Sequence, residues 1–345
     1  MLNIQVVLFD GFDPMDAVAP YEVFGAAALF AGDDALSVEL VTAEGPRSVV
    51  SGTNGLKLEA TGRLDPERGG IILVPGASGR IEGEGPGTVP AILGRTLITP
   101  LTGLMRQAFE RTDTVIATVC GGSLLLAMGG MLEGRPAVTH RLGMHALEAA
   151  GAVPVAARVV DDGSLVTGGG VTSGLDVALY LVEREFGPRI AHAVEQLFEY
   201  ERRGTVWRKR GMAPLVHQAA TDEHPGDAKN KTLATPVAPQ PEGFHPSVFD
   251  GGWEAIIATP VGKLQAKLSI AVKGGTIQGS ATQGEETVPL LDPELRGRSL
   301  CWSLRVTKPM RLNLKFEVTV EGDVMTGTAK AGMLPASKVT GRRVR

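Results

Sequence analysis

Along residues 1–200, short, nearly unbroken apolar runs alternate with stretches of helical periodicity. The runs Ile4–Phe9, Ser37–Thr42, Gly70–Val74, Thr114–Val119, Ala137–Thr139 and Ser164–Gly168 predict strands buried on both faces of a parallel sheet. Between them, Val18–Ala31, Thr99–Arg111, Ser123–Gly129, Met144–Ala150 and Thr172–Phe186 predict helices. Strand-helix alternation of this length predicts an α/β unit, a doubly wound, mostly parallel sheet of flavodoxin-like type. In such sheets the chemistry lies at the carboxyl ends of the strands.

The pattern changes from Gly252 onward, where apolar and polar residues alternate. Trp253–Thr259, Lys263–Val272, Thr276–Ala281, Ser299–Val306, Arg311–Val320, Val324–Lys330 and Ser337–Val344 are the candidate strands. Turn signals at Gly274-Gly275, Gly284-Glu285 and Glu321-Gly322-Asp323 separate them. Seven or eight antiparallel strands predict a small all-β barrel, with a sandwich as the alternative. Such barrels are filled by side chains or hold one ligand, and the sequence leaves both open. The polar stretch Gln218–Phe249, with Pro225, Pro236, Pro239, Pro241 and Pro246, reads as an extended linker. The chain is therefore expected to divide into an α/β domain at 1–215, a linker at 216–250 and a β domain at 251–345.

Composition supports two units. The 345 residues are 43% hydrophobic and 21% charged, which excludes a disordered or collagen-like chain. Residues 251–345 hold 14 Lys and Arg against 8 Asp and Glu, leaving 20 against 30 in residues 1–250, so a net of +6 follows a net of −10. The basic residues are dispersed along alternating strands, and no nucleic-acid partner is expected. No stretch reaches the roughly 18 apolar residues of a membrane span, so no membrane partner is expected. Met1–Asp10 reads as a strand without a basic leader. Two cysteines, Cys120 and Cys301, make no disulfide framework, and a reducing, cytoplasmic setting is expected.

Thr114 to Ala127 carries the chemistry. An apolar run ends at Cys120, Gly121 and Gly122 follow, and a helix begins. That is the sequence form of a nucleophile elbow. Its glycines permit close backbone approach and expose amide N–H groups to a developing anion. The helix N-terminus is expected to favour the thiolate. The alternative is a buried strand cysteine. Asp16, before an apolar helical run, is by itself a candidate N-cap. His140 is a candidate imidazole base for Cys120 or a structural, hydrogen-bonded histidine. Asp176 reads as a first-turn carboxylate or as the orienter of a partner group. Gly168-Gly169-Gly170 completes neither the dinucleotide nor the Walker pattern and reads as a tight turn. His145, His192, His217, His224 and His245 have no metal-ligand spacing, so no metal is expected. Cys301, beside Trp302, reads as core.

Four further segments give the chain a family likeness: Asp10–Phe24, Ile71–Ala77, Ala137–Arg141 and Leu165–Asp176. With the cysteine elbow they resemble, in order and from about residue 3 to 200, the DJ-1/PfpI superfamily, and within it the isonitrile hydratase branch. The resemblance implies Cys120 as nucleophile, Asp16 as the acidic residue beside the sulfur, and Gly76 and Gly121 as backbone donors to the substrate. A carboxyl group buried beside a thiolate should rise in pKa and act as a general acid. Isonitrile hydratases usually carry threonine after the cysteine, where this chain has Gly121. The resemblance implies hydration of a small isonitrile without a cofactor, and a homodimer. The alternatives are redox or ligand sensing through Cys120, since related domains precede AraC-type regulators, and glyoxalase-type or other hydrolytic chemistry. No helix-turn-helix pattern follows residue 250.

Overall fold

The computed structural model describes residues 1–32, 34–81, 85–212, 246–259, 262–273, 276–284, 286–306, 312–330 and 336–344. Most of the expected linker, and the Gly274-Gly275 turn, lie outside the described residues.

An eight-stranded sheet runs through the first unit: β1 (Leu2–Val7), β2 (Leu36–Thr42), β3 (Gly62–Arg63), β4 (Gly70–Val74), β5 (Thr114–Thr118), β6 (Val159–Asp161), β7 (Leu165–Gly168) and β8 (Trp207–Arg208). Their spatial order is β8-β6-β7-β5-β4-β1-β2-β3. Neighbours are parallel except β6 against β7. Ile4, Val6, Val7 and the run Ile71 to Val74 are buried on both faces, which is why their sequences run without alternation. The strand order reverses between β1 and β4, so the crevice beyond their carboxyl ends is where a doubly wound sheet places a site.

The helices are α1 (Pro14–Ala31), α2 (Val89–Leu97), α3 (Leu101–Phe109), α4 (Gly122–Met128), α5 (Met144–Ala149), α6 (Ser173–Phe186) and α7 (Pro188–Phe198). Helix α1 starts four residues before the expected Val18. Asp13 is its N-cap, taking the Met15 N–H at 3.0 Å, and Pro14 sits at the first turn, where no N–H is needed. Helices α2 and α7 were not expected. Pro90 and Gly94 blur the periodicity of α2, and only Gly187, at φ 86°, separates α7 from α6. The expected strand Ala137–Thr139 is a correction: only Pro136–Ala137 is extended, pairing with Val153–Pro154 outside the main sheet. Side chains hold the rest, with the Val138 N–H on Thr167 Oγ1 at 3.0 Å and Thr139 Oγ1 donating to the Cys120 carbonyl at 2.6 Å.

The second unit is a nearly closed antiparallel barrel of nine strands, one or two more than expected. These are β9 (Gly251–Thr259), β10 (Gly262–Lys273), β11 (Thr276–Gln283), β12 (Glu286–Pro289), β13 (Leu291–Arg296), β14 (Ser299–Val306), β15 (Leu312–Glu321), β16 (Val324–Lys330) and β17 (Ser337–Val344). The order β12-β11-β10-β9-β17-β16-β15-β14-β13 joins first and last strands and leaves one seam, between β12 and β13. Those two strands carry Pro289, Asp292, Pro293 and Glu294, residues that oppose strand formation. The register shifts between Leu291 and Glu294. Trp253, Leu300, Trp302, Phe316, Val318 and Met325 fill the interior. Trp302 stacks on Phe316 at 4.9 Å, and Trp253 donates to the Phe249 carbonyl at 2.9 Å. A small gap of about 40 Å3 is lined by Ile257, Leu264, Ala281, Leu304, Leu314 and Phe316. Among the described residues no helix is long and apolar enough to cross a membrane.

Candidate active site

Three turns converge beyond the strand ends. The turn after β1 leads into α1 with Asp13 and Asp16, the turn after β4 carries Gly76 and Ala77, and the turn after β5 carries Cys120. Cys120 has φ 53°, a conformation unfavourable for a side-chain-bearing residue by about 1–3 kcal/mol. It is the strained turn expected of a nucleophile elbow. Glycines make it possible. A Cβ on Gly122 would lie 3.0 Å from the Pro75 carbonyl oxygen, and one on Gly76 would lie 2.5 Å from the Gly121 nitrogen. Gly121 is different, because its Cβ would meet nothing closer than Gly76 Cα at 3.5 Å. The position that departs from the resemblance is therefore open to a side chain.

Asp16 is wholly buried, at 0% exposure, and Cys120 is 8% exposed. The Gly76 N–H donates to Asp16 Oδ2 at 2.9 Å, while Asp16 Oδ1 has no hydrogen-bond partner among the described residues. Burial, then the charge of Asp13, push the Asp16 carboxyl up to about 8, against the pull of the Gly76 N–H. Burial also pushes the Cys120 thiol well up, and the Asp16 charge adds to it. The Gly121 N–H lowers it without reversing the direction. The expectation that the helix N-terminus sets the thiol low is corrected: desolvation outweighs it. The two groups titrate as a pair. A proton on Asp16 removes the nearest charge opposing the thiolate.

A cleft of about 250 Å3 opens above the sulfur, with Leu93, Leu124, Ala146 and Val171 as apolar wall and Asp13, Ala77, Gly121, Thr139 and His140 at its floor and rim. A larger hollow of about 490 Å3 lies elsewhere, between Asp161, Tyr180, Arg184 and Arg208, and holds no nucleophile.

Cys120, Asp16, Gly76, Gly121 and His140 are thus brought together, with three corrections of role. Gly76 is not a substrate donor, because Asp16 engages its N–H; the Ala77 N–H has no acceptor among the described residues and lies beside Gly121. Asp16 is not the helix cap, because Asp13 is. His140 lines the cleft, but its Nδ1 accepts the Leu142 N–H at 3.3 Å, and no hydrogen bond joins it to Cys120 among the described residues. Asp13 and Ala77 were missed; the Asp13-Pro14 pair, an acidic cap before proline, was the available signal. Asp176 is in the first turn of α6 as expected, held by Arg158 at 2.6 Å and by Tyr200. The glycine run ends β7, and the Ser173 N–H closes on the Gly170 carbonyl at 2.7 Å, a turn as expected.

The DJ-1/PfpI family model matches residues 3–184. The chain belongs to the DJ-1/PfpI family. It is 32% identical over 200 residues to an isonitrile hydratase of Pseudomonas putida, across 58% of this chain and 78% of that one. It is 26% identical over 194 residues to the HTH-type transcriptional regulator CdhR of Pseudomonas aeruginosa, across 56% of this chain and 53% of that one. A solved ThiJ/PfpI family protein from Pseudomonas syringae is 26% identical, with a TM-score of 0.49 over 59% of this chain and 76% of that one. The family match ends at residue 184, and the β barrel lies beyond it.

Proposed function

We propose that the chain is a cysteine-dependent hydratase, a lyase, that converts a small isonitrile into an N-substituted formamide without a cofactor. The observation that carries this reading is the buried pair of Asp16 and Cys120 under an apolar cleft, in a chain that spans most of an isonitrile hydratase. The Cys120 sulfur adds to the terminal isonitrile carbon while Asp16 gives that carbon its proton and takes up the thiol proton, forming a thioimidate. Water then adds across the C=N bond, its hydroxyl to carbon and its proton to nitrogen. The C–S bond breaks, the hydroxyl proton passes by way of Asp16 to the sulfur, and formamide and the thiol are released. Ala77 and Gly121 line the cleft; the Ala77 N–H is the candidate donor to the substrate, while the Gly121 N–H serves the sulfur.

The proposal assigns this chemistry to residues 1–215, joined through 216–250 to a barrel at 251–345 whose filled interior supports a structural role. A cytoplasmic homodimer, with a small molecule as partner and neither nucleic acid nor membrane, completes it. The test is steady-state turnover of cyclohexyl isocyanide, read as formamide, in wild type beside Cys120→Ala and Asp16→Asn. Multiple turnovers lost in both variants support the reading, and no turnover in wild type overturns it for this substrate.

A sensing role is the second reading, favoured by the likeness to a transcriptional regulator. It predicts stoichiometric modification of Cys120 in place of turnover.

A further inference from the structure

We propose that Asp13 is a positioning residue that keeps the proton on Asp16. The inference rests on the acid role given to Asp16 above, and adds a residue to which neither the resemblance nor the comparisons assign a part.

Asp13 and Asp16 stand three residues apart at the start of α1, and Gly76 ties them together. The Asp13 N–H donates to the Gly76 carbonyl at 2.9 Å, and the Gly76 N–H donates to Asp16 Oδ2 at 2.9 Å. The Asp13 carboxylate is fixed by the Met15 N–H at 3.0 Å and reaches the cleft that Cys120 lines. Its charge is therefore held in place near Asp16, and like charges one turn apart on a helix oppose each other.

Little offsets that charge. From the turn after β4, Asp16 meets the neutral Gly76 N–H, and from the elbow it meets Cys120. His140 faces the same cleft. Helix α6 packs on α1, but its first-turn carboxylate, Asp176, is tied to Arg158. No Lys or Arg lines the cleft among the described residues. An ionised Asp16 would place a second negative charge where no cation answers the first, with one of its oxygens already lacking a partner. The neutral acid avoids this. Asp13 thus holds the proton on Asp16 until the sulfur attacks, and the proton then passes to the substrate carbon.

The test replaces Asp13 with Asn and, separately, with Ser. Both cap a helix and neither carries charge. The first readout is a carboxyl carbon NMR titration of the full chain with labelled aspartate, in a Cys120→Ala background that removes the coupled thiol, with Asp16 assigned through Asp16→Asn. Both variants are expected to lower the Asp16 midpoint by at least about half a unit, roughly threefold in its proton affinity. The second readout is the pH profile of kcat, whose alkaline limb should move down with the midpoint while KM stays within twofold of wild type. A residue serving only as a helix cap would change the melting temperature and leave the midpoint in place. An unchanged midpoint in both variants overturns the proposal. Loss of the hydratase reading alone would show as absent turnover with the midpoint still displaced.

Discussion

The Gly76 N–H points at Asp16 Oδ2 from 2.9 Å, so the one backbone donor that reaches the carboxyl group serves the acid and not the substrate. That bond stabilises the carboxylate, yet burial and Asp13 outweigh it and the group stays in the acid form up to about 8. The same approach requires glycine at 76.

Gly76→Ala is therefore expected to displace the elbow. Its Cβ would fall 2.5 Å from the backbone nitrogen of Gly121, and backbone yields less readily than a side chain. A loss of about 1–3 kcal/mol and of most activity is expected, read by urea unfolding and formamide production. A variant with wild-type stability and turnover would show that the turn relaxes freely.

Asp16 couples stability to pH. Its folded value, about 8, lies above the ordinary carboxyl value of 3.8, so the native state holds the proton more tightly than the unfolded chain. Its contribution is fully present below the unfolded value and is lost as pH rises through about 8. Asp16→Asn is expected to abolish turnover and to be more stable than wild type at pH ~9 by at least about 1 kcal/mol. Wild-type activity should fall above pH ~8 as the acid ionises. A flat wild-type pH profile across that range would contradict the acid role.

A Cβ on Gly121 would make only ordinary contacts, the nearest being Gly76 Cα at 3.5 Å, where one on Gly76 or Gly122 would clash. Gly121→Thr is expected to fold, with unfolding midpoints within about 1 kcal/mol of wild type, and to restore the hydroxyl found after the nucleophile in isonitrile hydratases. Turnover at or above wild type is expected. A sharp drop would mean that the open floor at Gly121 is itself part of the site.

His140 holds the Leu142 N–H through Nδ1, an arrangement that opposes a role as base for Cys120. His140→Ala should lower kcat less than about tenfold, where loss of a general base costs about 10²–10⁴-fold. A larger loss, with the fold intact, would restore the dyad.

In the barrel, Trp302 Nε1 is buried without a hydrogen-bond partner among the described residues. Trp302→Phe retains a ring against Phe316 and removes the unmatched donor, which is expected to offset the lost volume within about 1 kcal/mol. Thermal unfolding reads it. A loss several times larger would show that the indole N–H is satisfied in solution.

Much of this molecule was legible before its structure. Unbroken apolar runs such as Ile71 to Val74 located central strands, because burial on both faces leaves no polar positions. The elbow was legible because a strand ending in Cys120-Gly121-Gly122 has few other uses. Where the signal depended on a few local residues it faded. The helix after Gly187 was not read, because a single glycine separates it from the one before it, and the strands Glu286–Pro289 and Leu291–Arg296 were hidden by residues that pairing with neighbours overrides.

By itself the sequence determined the element types, the division of charge between two units, and the residue types gathered near the nucleophile, since these follow from periodicity and local backbone preference. Tertiary structure alone decided which carboxylate caps α1 and which is buried, that Gly76 serves Asp16, that His140 is engaged elsewhere, and that Cys120 is pushed up rather than down. Those outcomes depend on desolvation and on contacts between turns far apart in the chain, and both quantities exist only once the strands have been brought side by side.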